Sequence, residues 1–433
     1  MDMHSHTVSY EKRFYQASVL LAFLCALLLW HPDTRSIVNW GYDLLQCLFG
    51  GQLSNFPAYT YETHGLATNY TLFVNTVTAI WLLPVYNIEM FSGMQIAIEI
   101  YEVWYKILLF ATAFLCGWLL DIGIRNRRPK KGLWTKEPDE DKQDSYFARG
   151  LYYSSGILLI SVLGKGQVDI FSLFFMLGGA GYFQKRKYAK MSLLFGMAVL
   201  IKPFPLVIIL PVLLLLIKEI RYRVIPCGVL TLVPMAADHL LTRLLMPEYR
   251  AYVAITSRAF KETFGFSRVE QLFAVKLGNI SLFFAAMGML CIASLYLGMM
   301  EKTKTRHYIF FAVLSYVILS AFYSATFYWY VVVLPILAYM GMRLQRRLLA
   351  VFLFLGNTCG MLLTMLVNAG GMGMVVLTPL FGETKAPMLA KMLSQEMLSG
   401  LSLLGTTVFT LTMLAVALFY TQERRRREKA HED

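Results

Sequence analysis

Residues 185–218 read KRKYAKMSLLFGMAVLIKPFPLVIILPVLLLLIK, and the architecture follows from how that stretch is read. Two apolar runs, 188–202 and 204–218, flank the break Lys202-Pro203-Phe204-Pro205. Basic clusters, Lys185–Lys190 and Lys218–Arg223, bound them at their far ends. A membrane helix needs about 20 apolar residues, so both runs are short. They either tilt or stop below the surface and line a cavity. The positive-inside rule puts basic clusters in the cytoplasm, which leaves the Lys-Pro break on the outward turn.

Working outward, ten further apolar segments fall at 15–31, 104–124, 148–165, 167–184, 224–246, 280–300, 307–322, 325–342, 348–368 and 397–420. Further basic clusters at Lys12/Arg13, Arg125–Lys131, Lys302–Arg306, Arg343–Arg347 and Arg424–Lys429 sit between them. With about twelve crossings, every cluster lands inside and both termini are cytoplasmic. The expected fold is an all-α, polytopic membrane protein forming one domain over residues 1–433. Residues 70–90 are also apolar, and parity makes them a re-entrant or interfacial helix on the outer side. The stretch Leu20–Trp30 is followed by His-Pro-Asp without a small-residue cleavage site, so it reads as a retained first span.

Composition agrees. Of 433 residues 57% are hydrophobic and 15% charged, with a mean hydropathy of +0.54; soluble domains run near 45–50% and about 25%. That argues against a soluble enzyme and excludes a disordered chain. The net charge of +13 reads as an orientation signal, not a nucleic-acid footprint. Six scattered cysteines show no CxxC or Cys/His metal spacing. Walker A, GxGxxG and GxSxG elements are missing, so nothing points to nucleotide hydrolysis.

Length is spent on the outer face: 32–103, 247–279 and 369–396 are the outer loops. The cytoplasm receives 1–14, the mixed-charge linker 125–147 and the basic tail 421–433. Long loops are usually functional, so the chemistry is expected outside. Within the first loop, residues 40–49 have helical periodicity, with Trp40, Leu44, Leu45, Cys47, Leu48 and Phe49 on one face and Tyr42, Asp43 and Gln46 opposite. That pattern suits a helix lying flat at the membrane surface, ended by Gly50-Gly51. The aromatic stretch 56–64 suits headgroup anchoring, and also stacking on sugars.

Three places attract chemistry. Asp33 follows the first span, where a poorly solvated carboxylate acts as a general base; the plainer role is a solvated loop residue or a helix N-cap. Lys202 within a membrane segment suits a lipid phosphate, against simple snorkelling to the interface. Gly166-Gln167-Val168-Asp169, beside Lys165, forms a tight outward turn with polar contacts. Asp43, Glu62 and His64 would orient an acceptor, and Arg250, Arg258, Lys261 and Arg268 stripe the 247–279 loop. That stripe holds phosphate or is a solvated helix face. His64 has no second ligand near it in sequence, so no metal site is argued. Asn69-Tyr-Thr and Asn279-Ile-Ser match glycosylation acceptors, a pattern common by chance.

The order Asp33, then YDLLQCLFGGQLSNFPAYTY, then Gly166-Gln-Val-Asp-Ile-Phe, Lys185-Arg-Lys, Leu200-Ile-Lys-Pro-Phe-Pro-Leu and Phe327-Tyr-Trp-Tyr with Leu334-Pro335 resembles the GT-C membrane glycosyltransferases. It is most similar to bacterial, polyprenyl-phosphate-mannose-dependent members, over residues 30–340. The resemblance implies transfer of a monosaccharide, with inversion, from a polyprenyl-phosphate carrier to a cell-envelope glycan or glycolipid on the extracytoplasmic side. It implies Asp33 as base and Lys202, with Arg258 more loosely, on the lipid phosphate. Gln167 and Asp169 would join the donor subsite. Asp43, Glu62, His64, Tyr328 and Trp329 would face the acceptor and sugar. The family's second carboxylate is missing from Asp33-Thr-Arg35, which favours a metal-independent reaction without excluding a divalent cation. A transporter or flippase of lipid-linked sugars is the competing class; it predicts broken helices in matching halves, where this chain shows one Lys-Pro break. A late-looped envelope ligase or polymerase fits less well, because the largest loop comes first.

Overall fold

The computed structural model describes residues 3–125, 138–215, 225–264, 270, 272–300, 305–322, 327–367 and 395–429. It is helical almost throughout. The helices are α1 (Met3–Leu28), α2 (Pro32–Phe49), α3 (Phe56–His64), α4 (Leu72–Ser92), α5 (Ile98–Arg125), α6 (Pro138–Ser154), α7 (Asp169–Gln184) and α8 (Tyr188–Ile201). They continue with α9 (Leu206–Leu214), α10 (Ile225–Leu245), α11 (Tyr249–Phe264), α12 (Leu282–Met299), α13 (Thr305–Phe322), α14 (Leu334–Met342), α15 (Arg347–Val367) and α16 (Gln395–Lys429). A π-helical run, Ile157–Gly164, follows α6, and a 3-10 turn, Phe327–Val332, precedes α14. Among the described residues the strands are β1 (Lys276–Leu277) and β2 (Ile280–Ser281), a small antiparallel hairpin before α12.

Among the described residues six helices, α4, α5, α10, α12, α15 and α16, are long and apolar enough to cross a membrane, and up to eight spans result if two bent pairs each count once. The expectation of about twelve ran ahead of the helix lengths. Helices α7, α8 and α9 have 16, 14 and 9 residues. The segment 325–342 divides into the 3-10 turn and the nine-residue α14. Proline is one cause. Lys202 precedes Pro203 and is extended, with φ −149° and ψ 139°, because proline's ring disfavours helix in the residue before it. That conformation ends α8 and turns the lysine out of it.

Residues 32–103, expected as a first loop carrying interfacial helices, hold α2, α3, α4 and the start of α5. Helix α1 meets α2 at a 72° bend, where His31 caps α2 and Pro32 sits in its first turn. Asp33 is thus a first-turn residue and not the cap. The polar face expected on 40–49 is corrected too: Asp43 is buried, while Leu48 and Phe49 are exposed. Asp43 stays inside because α3 folds back over it. The aromatic stretch 56–64 is helix α3.

Helix α4 crosses α2 at Gly41, where a side chain would run into Thr78. Its two ends are held by different neighbours. Asp238 of α10 accepts from the Phe73 amide at 2.9 Å, and Glu89 accepts from Tyr42 and Tyr101, each at 2.8 Å. Midway, Trp81 and Trp104 stack 5.2 Å apart and each donates its indole N–H to the other's carbonyl. Helix α8 packs on α10, and α15 packs along α16. Leu232, Leu240 and Leu244 of α10 remain exposed, an apolar surface that a soluble monomer rarely shows and a membrane protein turns to lipid.

Of the expected loops, 125–147 lies partly and 369–396 mostly outside the described residues, as does the Lys218–Arg223 cluster. The segment 247–279 holds α11 and the hairpin.

Candidate functional site

The site is assembled where the first turn of α2 meets the turn between the π-helical run and α7. Gly166 has φ +73°, a left-handed conformation that suits glycine, and any side chain there would collide with Thr34. Thr34 Oγ1 donates to the Lys165 carbonyl at 3.2 Å, and the Tyr105 hydroxyl donates to the Gly166 carbonyl at 3.3 Å. The two segments are therefore pinned backbone against side chain before any ionisable group is considered.

Asp33 is the centre. Its Oδ2 accepts from Gln167 Nε2 at 2.7 Å and lies 3.1 Å from Lys165 Nζ. Its side chain is 41% exposed, against 9% for Lys165. His31 Nδ1 accepts the Asp33 amide hydrogen at 3.1 Å, so that nitrogen presents a lone pair. Its 3.4 Å approach to Asp33 Oδ1 is then a close contact and not an ion pair.

Tyr70 extends the cluster. Its hydroxyl donates to Gln167 Oε1 at 3.4 Å, and Lys202 Nζ stands over its ring, 4.4 Å from the centroid. Lys202 also faces Tyr328 at 5.9 Å, and Lys165 faces the same ring at 5.1 Å. Burial pushes the Tyr70 phenol well above its ordinary value, with Tyr328, Asp169 and Asp33 adding to the effect. It stays a neutral donor. The Tyr70 carbonyl accepts from Tyr249 of α11, so α11 fixes this tyrosine from above.

Of the residues singled out in the sequence, Asp33, Gln167, Lys202 and Tyr328 come together here. Asp169 is buried in the first turn of α7 beside them. Gln167 bonds Asp33, so its amide orients the carboxylate. Trp329 is buried and stacked on Phe204. Asp43 and His64 instead form their own pair, Nε2 to Oδ2 2.9 Å, further along α2. Burial raises the Asp43 carboxyl to about 6, with His64 acting in the opposite sense. Glu62 and Arg258 are exposed on α3 and α11, and no described contact joins either to Asp33. Lys261 and Arg268 lie among residues whose side chains are not described.

Sequence reasoning gave no role to Lys165 or Tyr70. A lysine ending an apolar run was the available signal for the first. Nothing local marks Tyr70. Among the described residues no three metal-ligating side chains converge. Chemically, the cluster offers a half-open carboxylate and two buried ammonium groups, which suit a proton acceptor beside an anion site.

Neither protein-family models nor curated protein sequences match this chain. The functional reading rests on the residues.

Proposed function

We propose that this chain is an inverting glycosyltransferase of the membrane, moving a monosaccharide from a polyprenyl-phosphate carrier to a glycan or glycolipid of the cell envelope. The observation that carries the reading is the half-exposed Asp33 carboxylate, 3.1 Å from Lys165, in a cluster that buried Lys202 joins by standing 4.4 Å over the Tyr70 ring. Asp33 takes the proton of the acceptor hydroxyl, whose oxygen attacks the anomeric carbon. Lys202 stabilises the phosphate as it departs. Oδ2 of Asp33 is occupied by an ammonium and an amide N–H, a setting that favours metal-independent base catalysis.

Depth supports a lipid donor. The 16 and 14 residues of α7 and α8 rise about 24 and 21 Å, against a hydrocarbon core of about 30 Å. With the Lys185–Lys187 turn at the cytoplasmic surface, the cluster sits several ångströms below the outer edge, where a lipid phosphate and an aqueous acceptor meet. In this reading both termini are cytoplasmic and the site is extracytoplasmic. Helix α4 is long and apolar enough to cross, but in this reading it lies in the outer interface, since its first residues neighbour the cluster and its last meet the opening turns of α5.

A flippase of lipid-linked sugars predicts broken helices at matching positions of two halves. Among the described residues both bent pairs fall in the first 164 positions, an arrangement that supports the enzyme reading.

The test is direct. Purified protein in nanodiscs is given polyprenyl-phosphate hexoses and glycan or glycolipid acceptors. Asp33→Asn should lower transfer by about 10²–10⁴, the usual worth of a general base. Full activity in that variant removes Asp33 from the chemistry.

A further inference from the structure

We propose that Lys165 is the positioning residue of the base: it holds Oδ2 of Asp33 so that Oδ1 alone receives the acceptor's proton. The inference rests on the reading of Asp33 as general base and goes beyond it.

The geometry is asymmetric. A carboxylate has about four lone-pair sites, two on each oxygen. Both donors, Lys165 Nζ at 3.1 Å and Gln167 Nε2 at 2.7 Å, approach Oδ2. Facing Oδ1 is His31 Nδ1, whose lone pair is already engaged with the Asp33 amide. With the side chain 41% exposed, the proton-accepting capacity points at Oδ1.

Lys165 is fixed in this task from three directions. Its amide donates to the Ile160 carbonyl at 3.0 Å, and its carbonyl accepts from Thr34, the residue after Asp33. Tyr328 presents its ring 5.1 Å from the ammonium. The same hydrogen bond thus ties the backbone of the cation to the neighbour of the anion. A buried ammonium without a partner is costly, so the pair is held together by burial as well as by charge. Reacting groups fixed in this way avoid the cost of orienting them during reaction, and a displacement of about 1 Å costs roughly 10²-fold.

During transfer the acceptor O–H bond breaks and its proton goes to Oδ1. The oxygen lone pair forms the new bond to the anomeric carbon as the bond from that carbon to the phosphate oxygen breaks. The electron pair leaves with polyprenyl phosphate, which Lys202 faces. Lys165 keeps its protons throughout and remains on Oδ2.

The experiment compares Lys165→Met, Lys165→Arg and Asp33→Asn, singly and with Lys165→Met added to Asp33→Asn, by steady-state transfer in nanodiscs. Lys165→Met should lower kcat roughly 10–100-fold while leaving the donor KM unchanged. Lys165→Arg should recover most of that loss. In the Asp33→Asn background, Lys165→Met should change the residual rate less than about twofold, since it has no base left to position. A raised donor KM at unchanged kcat would make Lys165 a phosphate ligand and overturn the proposal. Multiplicative losses in the double variant would overturn it too. Should Lys165→Met fail to fold, equal kcat in Lys165→Arg and Lys165→Gln is the overturning result. Activity retained by Asp33→Asn sinks the general-base reading itself, a distinct outcome.

Discussion

Gly166 and Asp43 show how single positions set local conditions. At Gly166 a methyl group would meet the Thr34 hydroxyl on a backbone with φ +73°. Gly166→Ala should therefore cost about 1–3 kcal/mol and reduce transfer at least tenfold, because the Lys165–Thr34 contact is displaced with it. Thermal unfolding and kcat of the same preparation check both halves. At Asp43 the argument concerns charge. A carboxyl raised to about 6 in the fold, mainly by burial, stabilises the native state below about pH 4, its unfolded value. It gives that stability up as pH rises through about 6. Asp43→Asn keeps a hydrogen bond to His64 without a buried charge. It should flatten the dependence of Tm on pH between 4 and 6, an effect of at most about 3 kcal/mol. A lower Tm than wild type at pH 7 contradicts this.

At the scale of elements, partly buried ion pairs join helices that are distant in sequence. Arg347 of α15 pairs with Glu11 of α1 and with Asp144 of α6, the latter at 3.2 Å. Arg347→Ala leaves the buried Glu11 without that partner; removing one member of a fully buried pair costs about 3–5 kcal/mol, and the 34% exposure of Arg347 puts the loss here below that range. The variant should unfold earlier in detergent, and Glu11→Gln in the same chain should return part of the loss. Additive losses would mean that the pair is not coupled. At the start of α5, Arg35 of α2 bridges Glu99 and Glu102 at 2.7 and 2.6 Å, and Trp30 donates to Glu102 at 3.0 Å. These contacts hold the bend between α1 and α2, and with it Asp33. The helices themselves were legible from hydropathy: α5, α10, α12 and α15 fall within a few residues of their apolar segments. The short α7 and α8 also fall on theirs, 167–184 and 188–202, but the divisions inside 148–165 and 325–342 were not legible, since a run of apolar residues does not disclose where a π-helical run or a 3-10 turn divides it.

For the whole molecule, orientation is the property most open to test. Glu62 and Met94 flank α4 and are exposed. With α4 in the outer interface, Glu62→Cys and Met94→Cys should both react with an impermeant thiol reagent added outside, and Lys130→Cys only after permeabilisation. Labelling of Glu62→Cys and Met94→Cys from opposite sides makes α4 a crossing and changes the parity of everything after it.

Composition, the apolar runs and the Lys202-Pro203 break are local properties, and they were enough to give an almost wholly helical chain, with several helices apolar enough to span a membrane and a cation at a helix break. They also marked Asp33 and Gln167 as residues of interest. Tertiary structure alone decided that Lys165 and Gln167 close on the same carboxylate oxygen, that Tyr70 carries Lys202 over its ring, and that Asp43 belongs to His64 instead. The physical reason is range. Helical periodicity and hydropathy act over a few turns, whereas Asp33 meets partners more than a hundred residues away, and such meetings exist only once the helices have packed.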